Sequence, residues 1–513
     1  KIKDLSEITQ KKRVDTVILA IPSIEKKKLD KIVRDCEKEG INLKILAPSY
    51  IRPYSLKTGR PWIEELRPIN IEDLLRRDTL KANLQELKEI ISNKIVIVTG
   101  GGGSIGSELC RQIVELSPRE LIILDNSEFN LYRINEALGE KHGSKSKITP
   151  IIGDIRDRRF IEEIFRKKNI NLVFHAAAYK HVPLMESNIG ELVKNNIFGT
   201  YNLAHASEKY GVGKFVLVST DKVINPTSAM GVSKKIAEEV LGLFGKKTKF
   251  MVVRFGNVLG SRGSVIPLFK EQIRKGGPIT ITHPKMKRFF MTIPEASRLI
   301  LQAASIGDNK DVLVLDMGKQ YLVKEVAERL VALYGLNPKK DIKFEYIGIR
   351  PGEKLYEELW TKDERLSKTT NDRISVCKLE DNNPKKIRLY LETLSSLAIK
   401  GDAKGIRSAF KEIIPTYTQI FNKKGLSELK IFITGGDGFV ASKLKERFDL
   451  EGIKYDSFSR KDGNLSEKKT YESLPKYDMI FHLASKLPQK GENNFQEDEE
   501  VMKNILNYCK KNN

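Results

Sequence analysis

The chain carries one stretch that decides its fold, KIVIVTGGGGSIG at Lys94–Gly106. It reads as a hydrophobic strand, then a glycine-rich turn, then a helix that begins near Ser107. Gly100 suits a tight turn at the strand end, Gly103 lets a pyrophosphate approach the backbone, and Gly106 allows close packing of helix on strand. The helix N-terminus offers free N–H groups to phosphates. The stretch therefore predicts a dinucleotide site.

The next strand, ELIILDNSE, ends in Asp125, which bears on the choice of cofactor. A carboxylate about twenty residues past the glycine loop accepts both ribose hydroxyls and repels a 2′-phosphate, so NAD is favoured over NADP. The alternative is a turn-forming aspartate after a strand. Two further strands, in IIGDIRD and LVFHAAAYKHVP, supply residues that flank the adenine or leave room for the dinucleotide. The other cofactor-binding candidates in these stretches are Ser104, Ile105, Asp154, Ile155, Ala176, Ala177 and Ala178.

The sequence predicts no metal site. His175 reads as a strand-end histidine with satisfied hydrogen bonds, and no second ligand cluster accompanies His181. The four cysteines are far apart and show no paired metal spacing. This pattern indicates a reduced, cytoplasmic protein without a disulfide frame.

Composition limits the classes of partner. The net charge of +23 comes from basic residues spread along all 513 positions, without a zinc-finger, RRM or basic-zipper pattern. A Lys-rich solvated surface is therefore favoured over a nucleic-acid interface, although attraction to anionic sugar nucleotides or an acidic membrane surface stays open. No apolar run approaches the roughly 18–20 residues of a membrane helix. Because the chain begins at Lys1 beside an apparent internal strand, we expect an upstream part. A membrane anchor there, at the inner face of the cell membrane, stays open.

The alternation of strands and helices predicts an α/β fold: a Rossmann-type doubly wound parallel sheet with a smaller C-terminal substrate subdomain, flanked by two partial Rossmann-like segments. The later opening KIFITGGDGFVAS repeats the strand–glycine–helix pattern, with Ala441 at the third glycine position. The predicted divisions are a regulatory or structural N-terminal domain at 1–78, a connecting helix at 79–92, an NAD-binding domain at 93–418 whose substrate subdomain lies mostly after 254, a linker at 419–428 and a partial second module at 429–513.

A catalytic segment, FVLVSTDKVINPTSAMGVSKK, spans Phe215–Lys235 and joins a buried strand to a helix that starts near Thr227. Together with the glycine loop, HAAA and RFGNVLGSRGSVIP, it resembles the extended short-chain dehydrogenases/reductases. Within that superfamily it is most similar to the bacterial UDP-N-acetylglucosamine 4,6-dehydratases of capsule and glycan biosynthesis. The resemblance runs from about Ile69 to Thr418. It implies a UDP-N-acetylhexosamine substrate and a homo-oligomer.

The resemblance also implies roles for residues of the catalytic segment. Asp221 would be the acid at the carbon 6 hydroxyl and Lys222 the base at carbon 5. To act as a base, Lys222 must be neutral, which requires desolvation or a nearby positive charge. Thr220 would hydrogen-bond the carbon 4 oxygen, and Lys234 would hold the nicotinamide ribose.

One position departs from the superfamily pattern. Met230 stands where the usual catalytic tyrosine lies, four residues before Lys234. A thioether cannot exchange a proton, so one reading is a non-catalytic nucleotide-binding scaffold. The long retaining members of the resembled family also carry Met here and are active. The other open alternative is a UDP-N-acetylhexosamine epimerase, either a 4-epimerase or a 5-inverting dehydratase.

A nucleotide-sugar diphosphate needs fixed positive charge, preferably guanidinium forks. Candidates occur beyond the glycine-rich half, in GSRGSVIP, HPKMKRFFMTIPEA and GIRPGEKLYEEL. Any one of them has the alternative of a surface ion pair. The substrate-binding candidates are Lys180, Asn257, Arg262, Arg288, Arg350 and Glu353.

Overall fold

The computed structural model of the chain describes the central part almost continuously and the two flanking parts in pieces. The predicted linker at 419–428 lies outside the described residues, as does most of the predicted N-terminal domain. The chain forms two compact units, Lys1–Ile420 and Phe421–Asn513. The described residues are 16–19, 28, 31–33, 35–36, 41–46, 66–68, 83–142, 146–334, 336–361, 364–379, 383–418, 430–451, 453–459, 461–467, 469–472, 474–477, 479–483 and 496–512.

Unit 1 contains seventeen strands among its described residues. They are β1 (Thr16–Leu19), β2 (Asn42–Leu46), β3 (Leu66–Pro68), β4 (Ile95–Thr99), β5 (Glu120–Asp125), β6 (Lys147–Ile152), β7 (Leu172–His175), β8 (Lys214–Val218), β9 (Lys249–Arg254), β10 (Asn257–Leu259), β11 (Ile279–Ile281), β12 (Lys287–Thr292), β13 (Asp311–Leu315), β14 (Gln320–Leu322), β15 (Phe344–Tyr346), β16 (Ser367–Lys368) and β17 (Ile374–Lys378).

The α-helices described in unit 1 are α1 (Leu84–Ile91), α2 (Ser104–Val114), α3 (Glu128–His142), α4 (Arg158–Lys167), α5 (Val182–Ser187), α6 (Ile189–Leu192), α7 (Gly199–Tyr210), α8 (Ala229–Leu241), α9 (Val265–Arg274), α10 (Ile293–Ile306), α11 (Val323–Leu333), α12 (Pro384–Lys400) and α13 (Ala403–Ile413). A π-helical turn, Val193–Phe198, joins α6 to α7, and a 3₁₀ turn, Asp221–Val223, follows β8.

A nine-stranded sheet forms the centre of unit 1, in the order β16–β17–β13–β9–β8–β7–β4–β5–β6. In sheet order, the seven strands β6, β5, β4, β7, β8, β9 and β13 pair in parallel. Strand β17 pairs antiparallel with β13, and β16 pairs antiparallel with β17. The order β6–β5–β4–β7–β8–β9 is the doubly wound 3-2-1-4-5-6 arrangement, so the predicted fold class is confirmed. All five residues of β4 are buried, as expected for a parallel strand covered on both faces.

Two groups of helices accompany this sheet. Helix α10 contacts both α1 and α2, and α7 contacts both α4 and α8. Both helices of the predicted site begin at slightly different residues than expected. Helix α2 starts at Ser104 because Gly103 is its N-cap, and α8 starts at Ala229 because the Ser228 side chain caps the Gly231 N–H.

Smaller elements complete unit 1. Strands β10–β12–β14 and β11–β15 form two small sheets, and α9 and α11 pack with them around Phe269, Phe290 and Val326. Residues of the first segment, including Leu19 and Ile32, belong to the same hydrophobic cluster. The hairpin of α12 and α13 packs instead on α6, α8 and the π-helical turn.

Unit 2 repeats the opening of the same fold. It contains β18 (Ile431–Thr434), α14 (Phe439–Glu451), β19 (Tyr455–Phe458), α15 (Lys469–Glu472), β20 (Met479–His482) and α16 (Gln496–Asn512). Its three strands are parallel, with β18 in the middle. Among the helices that the structure describes in either unit, none has the length and apolar character needed to cross a membrane.

Candidate active site

The glycine loop follows β4 and leaves no room for side chains on its inner side. Gly100 has φ +66°, and a Cβ there would lie 2.7 Å from the backbone of Ala177. A Cβ at Gly106 would lie 2.1 Å from the Gly100 carbonyl oxygen. At Gly103, whose N–H donates to that same carbonyl, the nearest atom to an added Cβ is 3.1 Å away. The loop therefore holds the N-terminus of α2 against the sheet edge, with Gly103 on its open side.

The carboxylate of Asp125 is fixed beside this loop at the end of β5. Its Oδ2 accepts the Gly102 N–H at 2.8 Å, and its Oδ1 accepts the Ser127 N–H at 2.9 Å. It borders a cavity of about 210 Å³. Asp154 borders the same cavity, and its carboxylate is bound to Arg156. The other predicted residues around this cavity are Gly100, Gly103, Ile155, Ala176, Ala177 and Ala178.

These residues fit NAD. The glycine loop and the N-terminus of α2 suit a pyrophosphate, and the Asp125 carboxylate suits a ribose with a free 2′-hydroxyl. Lys234 completes the arrangement from α8. Its ammonium donates to the Val218 carbonyl at 2.7 Å, and burial lowers the pKa of Lys234 to about 8 despite the nearby Glu238 carboxylate.

A larger cleft of about 950 Å³ continues from the glycine loop towards the small sheets. This volume is in the range of small-molecule sites. It brings together most of the residues that the sequence predicts for catalysis and substrate binding. The predicted residues that line it are Gly100, Gly103, Ser104, Ile105, Gly106, Ala176, Ala178, Lys180, Thr220, Lys222, Met230, Lys234, Asn257, Arg262, Arg288, Arg350 and Glu353.

Asp221 and Lys222 lie directly after β8, where the 3₁₀ turn begins. The Lys222 ammonium donates to Asp221 Oδ1 at 2.8 Å and to Asn257 Oδ1 at 3.0 Å. The Thr220 hydroxyl donates to the same Asp221 oxygen at 2.8 Å. Asp221 is fully buried, and its Oδ2 has no hydrogen-bond partner among the described residues. This buried oxygen lies beside Gly256, where an added Cβ would be 3.1 Å from it.

The electrostatics of this pair differ from the expectation for Lys222. Burial lowers the pKa of Lys222, but the carboxylates of Asp221 and Glu357 raise it by more, so its net pKa lies above the ordinary value. Desolvation therefore does not by itself make Lys222 neutral. Burial and the Glu357 charge raise the pKa of Asp221 against the opposing effect of Lys222. Both side chains of the pair therefore hold a proton more strongly than usual.

Glu357 is a member of this cluster that sequence reasoning missed. It is 4% exposed, and its Oε1 lies 3.5 Å from Lys222 Nζ and 3.7 Å from Arg288 Nε. Its Oε2 is buried without a hydrogen-bond partner among the described residues. The available signal was weak: two adjacent glutamates, 357 and 358, follow the GEKLY stretch that was singled out for Arg350 and Glu353.

Met230 lies one helical turn before Lys234 on α8. It is 3% exposed and lines the cleft. Its backbone carbonyl accepts the Ser233 hydroxyl, whereas its thioether presents an apolar surface. No proton transfer passes through this side chain.

The predicted substrate arginines lie in different settings. Arg288 is buried, and its guanidinium donates to the carbonyls of Lys287, Lys354 and Leu355, so it belongs to the cleft wall. Arg262 lies beside the glycine loop, with its backbone N–H on the Ser104 hydroxyl and its guanidinium on Asn130.

Three more candidates lie around the same cleft. The Arg350 N–H is 3.4 Å from the Glu353 carboxylate in one turn, and both residues line the cleft. Lys180 also lines it. Partial desolvation and the Lys222 charge lower the pKa of Lys180, so it is an additional cationic group that loses its proton more readily than usual.

The histidines have structural settings. His175 is buried, and its ring nitrogens bond the hydroxyls of Thr99 at 2.7 Å and Thr200 at 2.9 Å, as expected for a satisfied strand-end histidine. Burial and the Lys234 charge lower its pKa well below the ordinary value. Within the described parts of the chain, no three His, Cys, Asp or Glu side chains are grouped in a way that could hold a metal ion.

Comparisons with known proteins agree with this arrangement. The Capsular polysaccharide biosynthesis protein CapD of Staphylococcus aureus is 42% identical over 396 residues, which cover 77% of this chain and 65% of CapD. The chain therefore spans less than two thirds of that relative. The UDP-glucose 4-epimerase of Rickettsia rickettsii is 35% identical over 280 residues, covering 53% of this chain and 79% of the epimerase.

A solved structure is similar to the same region. Pen from Bacillus thuringiensis superposes with a TM-score of 0.52 and 34% identity, covering 57% of this chain and 92% of Pen. A family model described as "Polysaccharide biosynthesis protein" matches residues 96–379, which is more than half of the chain. The chain therefore belongs to the polysaccharide biosynthesis protein family.

Proposed function

We propose that the protein converts UDP-N-acetylglucosamine to the UDP-4-keto-6-deoxy sugar, using tightly bound NAD. The observation that carries the proposal is the acid–base pair of Asp221 and Lys222, joined by a 2.8 Å hydrogen bond after β8, of which Lys222 lines the same cleft as the glycine loop. A dehydration needs one group that removes a proton and another that protonates a departing hydroxyl. The pair supplies both.

Bound NAD supplies the redox chemistry, which oxidises carbon 4 of the sugar and later reduces carbon 6. Lys234 holds the nicotinamide ribose from α8. With Met230 at the tyrosine position, the Thr220 hydroxyl, which also lines the cleft, is our candidate for the hydrogen bond to the carbon 4 oxygen.

The elimination uses the pair in its neutral form. One proton moves from Lys222 Nζ to Asp221 Oδ1 along their 2.8 Å hydrogen bond, giving an amine and a carboxylic acid without exchange with solvent. The amine of Lys222 then takes the carbon 5 proton, and the electrons of that C–H bond convert the single bond between carbons 5 and 6 into a double bond. Asp221 protonates the carbon 6 oxygen, the C–O bond breaks, and water leaves.

The cycle closes at the same two residues. The ammonium of Lys222 returns a proton to carbon 5 when carbon 6 is reduced. Because one group removes and returns the proton from one side, the configuration at carbon 5 is retained. The proton that the carbon 4 hydroxyl loses on oxidation is released to solvent, and Asp221 takes one proton from solvent before the next cycle, so the cycle balances; its raised pKa favours this uptake.

The nucleotide is bound on the far side of the cleft. We assign the diphosphate to Arg262 and Arg350, and the polar contacts of the ribose, uracil or sugar to Glu353, Asn257 and Lys180, all of which line the cleft. We also propose that the product enters cell-surface polysaccharide or glycoprotein glycan synthesis at the cytoplasmic side, as the name of CapD suggests, and that the enzyme is a homo-oligomer.

A second candidate is a 4-epimerase, which the similarity to the Rickettsia UDP-glucose 4-epimerase favours. Incubation with UDP-N-acetylglucosamine and NMR analysis of the sugar separates the two. A dehydratase replaces the carbon 6 hydroxymethyl group by a methyl group and forms a carbon 4 ketone. An epimerase keeps the hydroxymethyl group and gives UDP-N-acetylgalactosamine, which would contradict the proposal.

A further inference from the structure

The acid–base pair has a third charged neighbour, Glu357, which comes from a distant part of the chain. Its Oε1 is 3.5 Å from Lys222 Nζ and 3.7 Å from Arg288 Nε. Its backbone is also fixed, since the Gln320 side chain donates to the Glu357 carbonyl at 2.8 Å. The carboxylate is therefore held beside Lys222 from the opposite wall of the cleft.

A purely structural ion pair with Arg288 does not account for this carboxylate. The Arg288 Nη groups already donate to the carbonyls of Lys287, Lys354 and Leu355. Glu357 lines the cleft, and its buried Oε2 has no hydrogen-bond partner among the described residues. An unpaired buried carboxylate oxygen is costly, so its retention calls for a role in the cleft.

We propose that Glu357 is a positioning residue for proton transfer: it holds the Lys222 side chain in the cleft and stabilises the ammonium that forms when Lys222 takes the carbon 5 proton. This inference rests on the proposed dehydration. Glu357 itself exchanges no proton. The C–H bond at carbon 5 breaks, an N–H bond forms at Lys222, and Asp221 alone gives a proton to the leaving hydroxyl.

The charges around the cluster support this division of roles. Lys222 faces the carboxylates of Asp221 and Glu357 and the cations of Arg288 and Lys180. Glu357 faces Lys222, Arg288 and Lys354. Burial raises the pKa of Glu357, but these three cations lower it by more, so Glu357 stays ionised. Asp221, whose pKa is raised, is instead the carboxyl that carries the transferable proton.

Removing the Glu357 charge should shift the pKa values of its neighbours in one definite direction. In Glu357→Gln the lost negative charge no longer favours the protonated forms of Lys222 and Asp221, so both pKa values fall. The pH profile of kcat/KM has one limb that requires neutral Lys222 and another that requires protonated Asp221. Both limbs must then move to lower pH. An opposite charge within about 4–6 Å shifts a pKa by roughly 1–3 units, so we expect a displacement of about one pH unit.

Two variants distinguish the effect of the lost charge from a disturbance of the local structure. Glu358→Gln makes the same change at the next residue, whose exposed carboxylate lies 3.4 Å from Lys354 Nζ, and should leave the profile in place. Glu357→Asp keeps the charge but shortens the side chain. Its profile should stay at the wild-type pH while kcat falls.

A second readout does not depend on turnover. Competitive trace acetylation across a pH series, read by peptide mass spectrometry, gives the pKa of the Lys222 amine in the NAD-bound protein. We expect its midpoint to be lower in Glu357→Gln than in the wild type and unchanged in Glu358→Gln.

The outcomes are separable. An unchanged Lys222 midpoint in Glu357→Gln overturns the role of Glu357, whether or not the substrate is turned over. A pH profile that coincides with the wild type overturns it as well. Wild-type protein that yields no 4-keto-6-deoxy sugar contradicts the proposed dehydration instead, while the acetylation midpoint still decides whether Glu357 controls Lys222.

Discussion

At the residue scale, Asp125 is the side chain that we propose selects the cofactor. Its two oxygens each accept a backbone N–H, from Gly102 and Ser127, so the carboxylate cannot swing away from the ribose position. A 2′-phosphate would meet this fixed negative charge directly. We therefore propose that the discrimination between NAD and NADP lies at the end of β5.

We predict that Asp125→Asn weakens NAD binding and strengthens NADP binding. Hydrogen bonds to a charged group contribute about 1.5–3 kcal/mol each, so the NAD Kd should rise by about tenfold or more. Isothermal titration with both cofactors measures the change, and Asp308→Asn serves as a control because that carboxylate is bound to Lys249 and lines neither cavity. Unchanged preference in Asp125→Asn would remove Asp125 from cofactor selection.

Contacts between residues adjacent in sequence could be predicted, whereas contacts between distant residues could not. The pairing of Asp221 with Lys222 is available from the chain itself, because a turn after a strand keeps neighbours close. The contact of Glu357 with Lys222 arises only when the small sheets fold against the main sheet. The raised pKa of Lys222 reflects the Asp221 carboxylate first and Glu357 second, acting against burial, and the second of these contacts is not visible in the sequence.

At the scale of elements, the two glycine loops of the chain have the same local construction. Gly100 and Gly435 both have positive φ, of +66° and +73°. The second motif glycine of each loop, Gly103 or Gly438, donates its N–H to the carbonyl of that first glycine at 2.9 Å. The predicted repetition of strand, glycine loop and helix in the tail is therefore confirmed as a local fold.

The last glycine of the first loop has a packing role that can be separated from cofactor binding. In Gly106→Ala the added Cβ would lie 2.1 Å from the Gly100 carbonyl oxygen, so α2 must move. We predict that the free energy of unfolding falls by about 1–3 kcal/mol, measured by urea denaturation. Gly103→Ala, where the nearest contact is 3.1 Å, should keep the fold and lose NAD affinity instead. Equal stability in both variants would contradict this assignment.

The elements themselves followed from pattern, but their arrangement in the substrate half did not. Buried apolar strands such as β4 and the glycine loop give the Rossmann-type sheet directly. Four of the five strands in the small sheets β10–β12–β14 and β11–β15 have only three residues, which is too short for a periodic signal. They bring Arg288 and Glu357 to the cleft wall.

At the scale of the whole molecule, each compact unit has hydrophobic clusters of its own. Unit 1 is built around the main sheet, the small sheets and the α12–α13 hairpin, and its last described residues are tied in by the Thr418 N–H on the Pro226 carbonyl. Unit 2 has a cluster around Ile433 and another around Tyr471. The proposed catalytic residues all belong to unit 1.

We predict that a chain ending at Thr418 keeps the dehydratase activity. A unit with its own core folds independently, so kcat for UDP-N-acetylglucosamine should remain within about twofold of the full chain. Steady-state kinetics with NAD-saturated protein measures this, with circular dichroism as the check on folding. A folded but inactive truncated chain would mean that unit 2 contributes to the reaction.

The most direct test of the central claim follows the carbon 5 proton. The purified protein is incubated with UDP-N-acetylglucosamine in deuterated water, and the sugar is followed by NMR, with Lys222→Ala in parallel. We predict a 4-keto-6-deoxy product with one deuterium at carbon 5 and retained configuration, and neither product nor deuterium from Lys222→Ala although NAD remains bound. An unaltered sugar with NAD bound, or deuterated product from Lys222→Ala, would contradict the assignment of the reaction to this acid–base pair.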